Sequence, residues 1–146
     1  MKNKIIVVYL ANYKEKIYTL KRFLNYYKKY KSGVKHGLLI CFKNFNENIP
    51  ELKKWHKPLK KIKYLKFLDK FEIDDYDWGS YRRVAKKNKS KIILFLNSHS
   101  YPIVNNWLRI YTQNYKNNSL IGSSGSYCSL SSSFFNLKFY RSIVPI

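Results

Sequence analysis

The sequence predicts an α/β protein with a mostly parallel, open sheet flanked by helices. Three observations predict it. The stretches 5–10, 37–42 and 92–96 are apolar almost without interruption and of strand length, the pattern of strands buried on both faces. Stretches with apolar residues at helical spacing lie between them. The two kinds of segment alternate along the chain, as helical crossovers between parallel strands require.

Each element has its own justification. Residues 5–10, Ile-Ile-Val-Val-Tyr-Leu, form the opening strand. From 15 to 30, Ile17, Leu20, Leu24 and Tyr27 recur at helical spacing among Lys and Arg. Ser32 and Gly33 then stop the helix. Residues 37–42 are a second buried strand, 44–48 a polar loop, and 50–55 a short helix with Pro50 in its first turn. Residues 62–68 alternate apolar side chains with lysines and suit a strand nearer an edge. A helix over 81–88 turns Tyr81, Val84 and Ala85 inward and Arg82, Arg83, Lys86 and Lys87 outward. Residues 92–96 make the clearest strand, ending in the polar turn Asn97-Ser98-His99-Ser100. Val104, Trp107, Leu108, Tyr111 and Tyr115 give a helical stripe over 102–115. A short strand at 119–122 and a small-residue loop at 122–126 follow. The division read from this pattern is a domain at 1–129 and an irregular tail at 130–146.

Composition narrows the function classes. The 146 residues carry 29 Lys plus Arg against 8 Asp plus Glu, a formal charge of +21. Hydrophobic residues are 45% and aromatics 18%, which excludes a disordered basic tail. No apolar run approaches the ~20 residues of a spanning helix. The basic start at 1–4 precedes too short an apolar stretch for a signal peptide. Cys41 and Cys128 form no CxxC and imply a reduced compartment.

Phosphate forks and base edges favour Arg, yet only residues 22, 82, 83, 109 and 141 are Arg. Lys, Asn, Ile, Tyr and Phe, all abundant here, share A/T-rich codons. The charge is therefore largely compositional, and no specific nucleic-acid partner is expected. More telling, no carboxylate follows Asp77. Any chemistry needing Asp or Glu uses Asp77, an earlier residue or a partner chain.

In open parallel sheets ligands bind outside the carboxyl ends of the strands. Residues 11–13, 74–80 and 97–100 fall there. The run Asp77-Trp78-Gly79-Ser80-Tyr81-Arg82-Arg83-Val84-Ala85, followed by Ile92-Ile93-Leu94-Phe95-Leu96-Asn97-Ser98-His99-Ser100, resembles the nucleotide-sugar-binding half of family 2-like glycosyltransferases. Tyr9, Asn12 and Glu15 with the first helix resemble that family's first βα unit. Residues 102–108 and 121–127 resemble its next helix and strand. The resemblance covers about 4–129.

It implies a GT-A fold that transfers a sugar from a nucleotide diphosphate to an acceptor hydroxyl in glycan or surface polysaccharide synthesis. The implied donor contacts are Tyr9, Asn12, Asp77, Arg82, Asn97, Ser98 and His99. The implied partners are a nucleotide-sugar donor and a glycan or lipid-linked acceptor. The implied location is cytoplasmic, with lysine-rich faces suited to peripheral contact with an anionic membrane.

The family usually places Mg²⁺ or Mn²⁺ on an Asp-x-Asp motif. Here that position reads Asn97-Ser98-His99, weak or soft ligands for such ions. The end of the second strand, Phe42-Lys43-Asn44-Phe45, lacks the usual Asp. The family's acceptor half would follow residue 130. The expectation therefore includes a truncated or catalytically deficient form. A basic module for RNA or anionic membrane is the alternative from another class.

Several residues carry a structural reading as well. Asp77 suits a helix N-cap, Asp74 and Asp75 solvated loop charges, and Arg82 and Arg83 a solvated face or a diphosphate contact. Tyr9 and Tyr13 are candidate base-stacking rings, Trp107 a core residue, and His99 a surface residue. The 122–126 loop lacks the Lys-Ser/Thr ending of a phosphate loop. Cys128 has no nearby acid or His to activate it.

Overall fold

The computed structural model describes residues 4–45, 50–70 and 75–116. The chain divides into two compact units, Met1–Gln113 and Asn114–Ile146. Of the second, residues 114–116 are described and form no helix or strand. The expected strand at 119–122, the 122–126 loop, Cys128, the tail and the 129/130 boundary lie outside the described residues, as do Glu72 and Asp74.

The first unit is an α/β layer structure. Its strands are β1 (Ile5–Asn12), β2 (Gly37–Lys43), β3 (Leu65–Asp69) and β4 (Ile92–Leu96). They form one sheet in the order β3-β2-β1-β4, and every pairing is parallel. The helices are α1 (Tyr18–Lys29), α2 (Pro50–His56), α3 (Tyr76–Lys87) and α4 (Trp107–Gln113), with a 3-10 turn at Lys57–Leu59.

Alternate residues of the strands enter opposite faces, as the two-residue period dictates. Val7, Tyr9, Ala11, Ile40 and Phe42 meet Leu20 and Phe23 of α1, Trp55 of α2 and Trp107 of α4. Ile6, Val8, Leu10, Leu39 and Cys41 meet Val84 and Tyr81 of α3. The sheet order explains this division. The chain steps outward from β1 to β2 to β3, then returns past β1 to β4. Right-handed crossovers place helices on one face while the chain steps one way and on the other when it reverses.

Several boundaries differ from the sequence expectation. Helix α3 starts at Tyr76, about a turn and a half earlier than expected, and Ala85 is exposed on it. Helix α4 starts only at Trp107. Asn106 has φ 60°, which breaks the helical run, and its N–H donates to Lys31 O at 2.7 Å. Lys31 N donates to Asn105 Oδ1 at 2.9 Å. The 101–106 segment thus docks on the α1–β2 connection, and Val104 is exposed rather than on the stripe. Tyr115 lies past the end of α4. Gly33, at φ 81°, accepts this close approach: a Cβ there would stand 2.6 Å from Asn106 Oδ1.

Strand β3 begins at Leu65 and is half exposed, in keeping with an edge strand. Strand β4 has β1 as its neighbour, and its residues are half-buried rather than buried on both faces as the apolar run predicts. No helix among the described residues is long and apolar enough to cross a membrane.

Candidate functional site at the sheet's carboxyl edge

Reversal of the strand order occurs between β1 and β4, the position at which open parallel sheets form a ligand crevice outside the carboxyl ends of the strands. Three hydrogen-bonded features build its walls.

The turn after β4 is pinned to β1. Tyr9 Oη donates to Ser98 O at 2.8 Å, and Ser98 Oγ donates to Leu10 O at 2.9 Å. Asn97 Oδ1 accepts from His99 N at 3.0 Å and Ser100 Oγ at 2.8 Å. This is an Asx turn, the reason Asn suits the strand end. Asn97 and His99 are left exposed, while Ser98 is buried.

The loop after β1 is shaped by Asn12. Its Oδ1 accepts from Lys14 N and from Asn44 Nδ2, each at 3.1 Å. Glu15 follows, and His99 Nε2 lies 3.3 Å from its Oε1, which joins the loops after β1 and β4. A carboxylate-held imidazole with an exposed edge can accept or donate a proton.

The third wall is the start of α3, and an ion network fixes it. Asp69, at the end of β3, is buried. It accepts from Ser80 Oγ at 2.6 Å, and from Arg83 Nε and Nη2 at 2.7 Å each. Lys43, buried at the end of β2, donates to Asp75 Oδ1 at 3.1 Å and to Tyr76 O. Arg83 also pairs with Asp75. Tyr76 adopts φ 50°, an uncommon conformation for a bulky residue. The bond from Lys43 to its carbonyl holds it there. Gly79 leaves room for this arrangement, because a Cβ would overlap the Asp75 carboxylate.

Several expectations are corrected by this geometry. Tyr9 is fully buried and stacks on Phe23 at 4.1 Å between ring centroids. It presents no face to a ligand and acts by holding the Ser98 turn. Burial also raises the pKa of its hydroxyl. Asp77 is not the N-cap of α3. Asp75 occupies that position, without a side-chain capping bond, because its carboxylate faces Lys43 and Arg83. Asp75 is therefore no solvated loop charge, and Arg83 no solvated-face residue. Arg82 is exposed. Ser98 directs its hydroxyl back into the sheet. Asn12, Asn97, His99 and Asp77 remain the polar groups at the crevice.

Asp77 sits in the first turn of α3, half-buried. Burial pushes its carboxyl pKa up, against the pull of Lys43 and His99 and with the help of Glu15. These influences place Lys43, His99 and Glu15 within electrostatic reach of Asp77. Sequence reasoning did not select Lys43 or Asp69, and it gave Arg83 a solvated face or a diphosphate contact rather than this network. The available signal was a charged residue closing each of two strands, Phe42-Lys43 and Leu68-Asp69.

Arg83 hydrogen bonds hold Asp75 at a pKa of about 2, with further support from Lys43. A folded-state pKa below the unfolded one adds stability above the unfolded value, and that stability is lost as pH falls through the folded value. Acid destabilisation through Asp75 is thus expected between about pH 4 and pH 2. Melting temperature followed against pH should fall less steeply in this window for Asp75→Asn than for the parent. Equal slopes would remove Asp75 from the account.

The residues after β4 do not fit a divalent cation. Ser98 Oγ is turned to Leu10 O, Asn97 Oδ1 already accepts two hydrogen bonds, and His99 faces Glu15. Among the described residues no group of three or more His, Cys, Asp or Glu could hold a metal. Cys41 is a buried core thiol, raised to about 12 chiefly by burial; it is inert as a nucleophile. Compared with protein-family models, curated proteins and solved structures, the chain matches none.

Proposed function

We propose that the crevice between the ends of β1 and β4 binds a nucleotide-diphosphate sugar, in a GT-A-like setting, for transfer to an acceptor hydroxyl of a glycan or lipid-linked acceptor. The observation that carries this reading is the strand order reversing at the two loops that bear Asn12, Glu15, Asn97 and His99, with Asp77 beside them. Hydroxyl-rich ligands need such acceptors and donors, held rigidly. Asp77 and Asn12 are assigned to the ribose or base. Tyr13 takes over the stacking role considered for Tyr9, since its ring is 44% exposed and stands edge-on to Phe45. Arg82 is the exposed arginine of α3 and is assigned to the diphosphate, because Arg83 is engaged by Asp69 and Asp75.

A thermal-shift titration with UDP-, GDP- and dTDP-sugars, with and without Mn²⁺, tests this. At least one donor should raise the melting temperature, and Asp77→Ala should abolish the rise. A folded sample that responds to none of them would reject donor binding. A shift unchanged by Asp77→Ala would reject Asp77 as a contact.

One observation favours a second reading, donor binding without transfer: the turn at 97–99 commits its side-chain oxygens to its own hydrogen bonds. Detection of donor hydrolysis or sugar transfer by the chain would exclude that reading.

A further inference from the structure

At the opposite, amino edge of the sheet lies a cleft of about 970 Å³. It runs below the starts of β1, β2 and β3, and the segments entering β2, β3 and β4 form its walls. Lys35, Lys63, Lys87 and Lys89 line it, and no carboxylate does. Glu15, Asp69, Asp75 and Asp77 belong to the carboxyl edge, and these four lysines to the amino edge. All four are exposed, and among the described residues none of them has an ion-pair partner. Lys87 Nζ is placed over the Phe67 ring, 5.3 Å from its centroid.

We propose that this cleft is a second ligand site, separate from the crevice, for a compact anion carrying several phosphate groups. Lysine is a point-charge binder of phosphate and needs no planar partner geometry. Like charges gathered on low-dielectric walls focus their field into the cleft and raise the local concentration of anions. The concave shape suits a small molecule rather than a membrane plane, and the volume exceeds what one phosphate fills.

The aromatic residues of the cleft argue against a single-stranded nucleic acid, which is held by bases stacking on free rings. Tyr27 is packed among Phe23, His36 and Trp107, and its hydroxyl is 2.6 Å from His36 Nε2. Tyr64 stacks on His56, with its hydroxyl 2.7 Å from His56 Nδ1. Both rings serve the fold.

Calorimetric titration of the full chain with inorganic tripolyphosphate at low ionic strength tests the proposal. Saturable one-site binding is expected, falling steeply with added salt. The double variant Lys35→Ala/Lys63→Ala should weaken it about tenfold or more, since each lysine removes a charge-assisted contact. The control Lys53→Ala/Lys54→Ala, on exposed positions of α2 outside the cleft, should leave it unchanged. Absence of binding, or equal weakening in both variants, would overturn the site. So would Lys35- and Lys63-dependent binding of a single-stranded oligonucleotide or of anionic vesicles with none of tripolyphosphate. Melting curves of both variants establish that each is folded. Donor binding at the crevice plays no part in these readouts, so either proposal can fail alone.

Discussion

Asp69→Ala is expected to lower the folding free energy by about 1.5–3 kcal/mol, the loss of charge-assisted hydrogen bonds to a buried carboxylate. The Asp69 side chain is 1% exposed and the Arg83 side chain 19%. Arg83 directs both Nε and Nη2 at the carboxylate, and Ser80 Oγ adds a third bond. Without Asp69, Arg83 Nε and the Ser80 hydroxyl lose the carboxylate they donate to at the α3–β3 contact, while Arg83 keeps its pairing with Asp75. A loss of that size is a large part of the 5–15 kcal/mol by which domains are stable. Urea unfolding measures it directly. A change below about 1 kcal/mol would place Asp69 among ordinary surface ion pairs and remove the network as the reason α3 begins where it does.

The second large effect is expected at Phe23. Its ring is fully buried, stacks on Tyr9 and contacts Tyr27 at 5.3 Å between centroids. Phe23→Ala removes the central contact between α1 and β1 and should cost about 3–5 kcal/mol, transfer and cavity terms together. The conservative change Tyr9→Phe keeps the stack and loses only the bond to Ser98 O, worth about 1 kcal/mol. Denaturant midpoints of the two variants provide the comparison. A Phe23→Ala loss no larger than that of Tyr9→Phe would mean that the α1 face collapses around the gap or is not packed as described.

Much of the fold was legible because its cause is local. Ile92–Leu96 was readable to the residue, since a continuous apolar run bounded by polar residues leaves little choice of boundary. Helix α1 was readable from its stripe, although Phe23, more deeply buried than Tyr27, was not picked out. Helix ends were harder. The early start of α3 depends on Lys43, far away in sequence, binding the Tyr76 carbonyl. The late start of α4 depends on the docking of the 105–106 turn against Lys31.

The site divides in the same way. Asn12, Asp77, Asn97 and His99 were found because strand ends in parallel sheets point to a ligand edge. Tyr9 was misread because a Tyr near a strand end has the same letters whether its ring faces solvent or core. In β1 the two-residue period sends it to the α1 face. Arg83 was misread as outward because Asp69 lies on another segment, β3, and Asp75 sits about two turns away at the N-cap of the same helix.

By itself the sequence determined the α/β class, the identity of the buried strands and the polar character of their carboxyl ends. These follow from composition and period, which act over a few residues. Only the tertiary structure decided the strand order, and with it the switch point between β1 and β4, the Glu15–His99 pairing, the Lys43–Asp75–Arg83–Asp69 network and the lysine-lined cleft at the amino edge. Each depends on which distant segments the crossovers bring together, and single-chain periodicity holds no record of that.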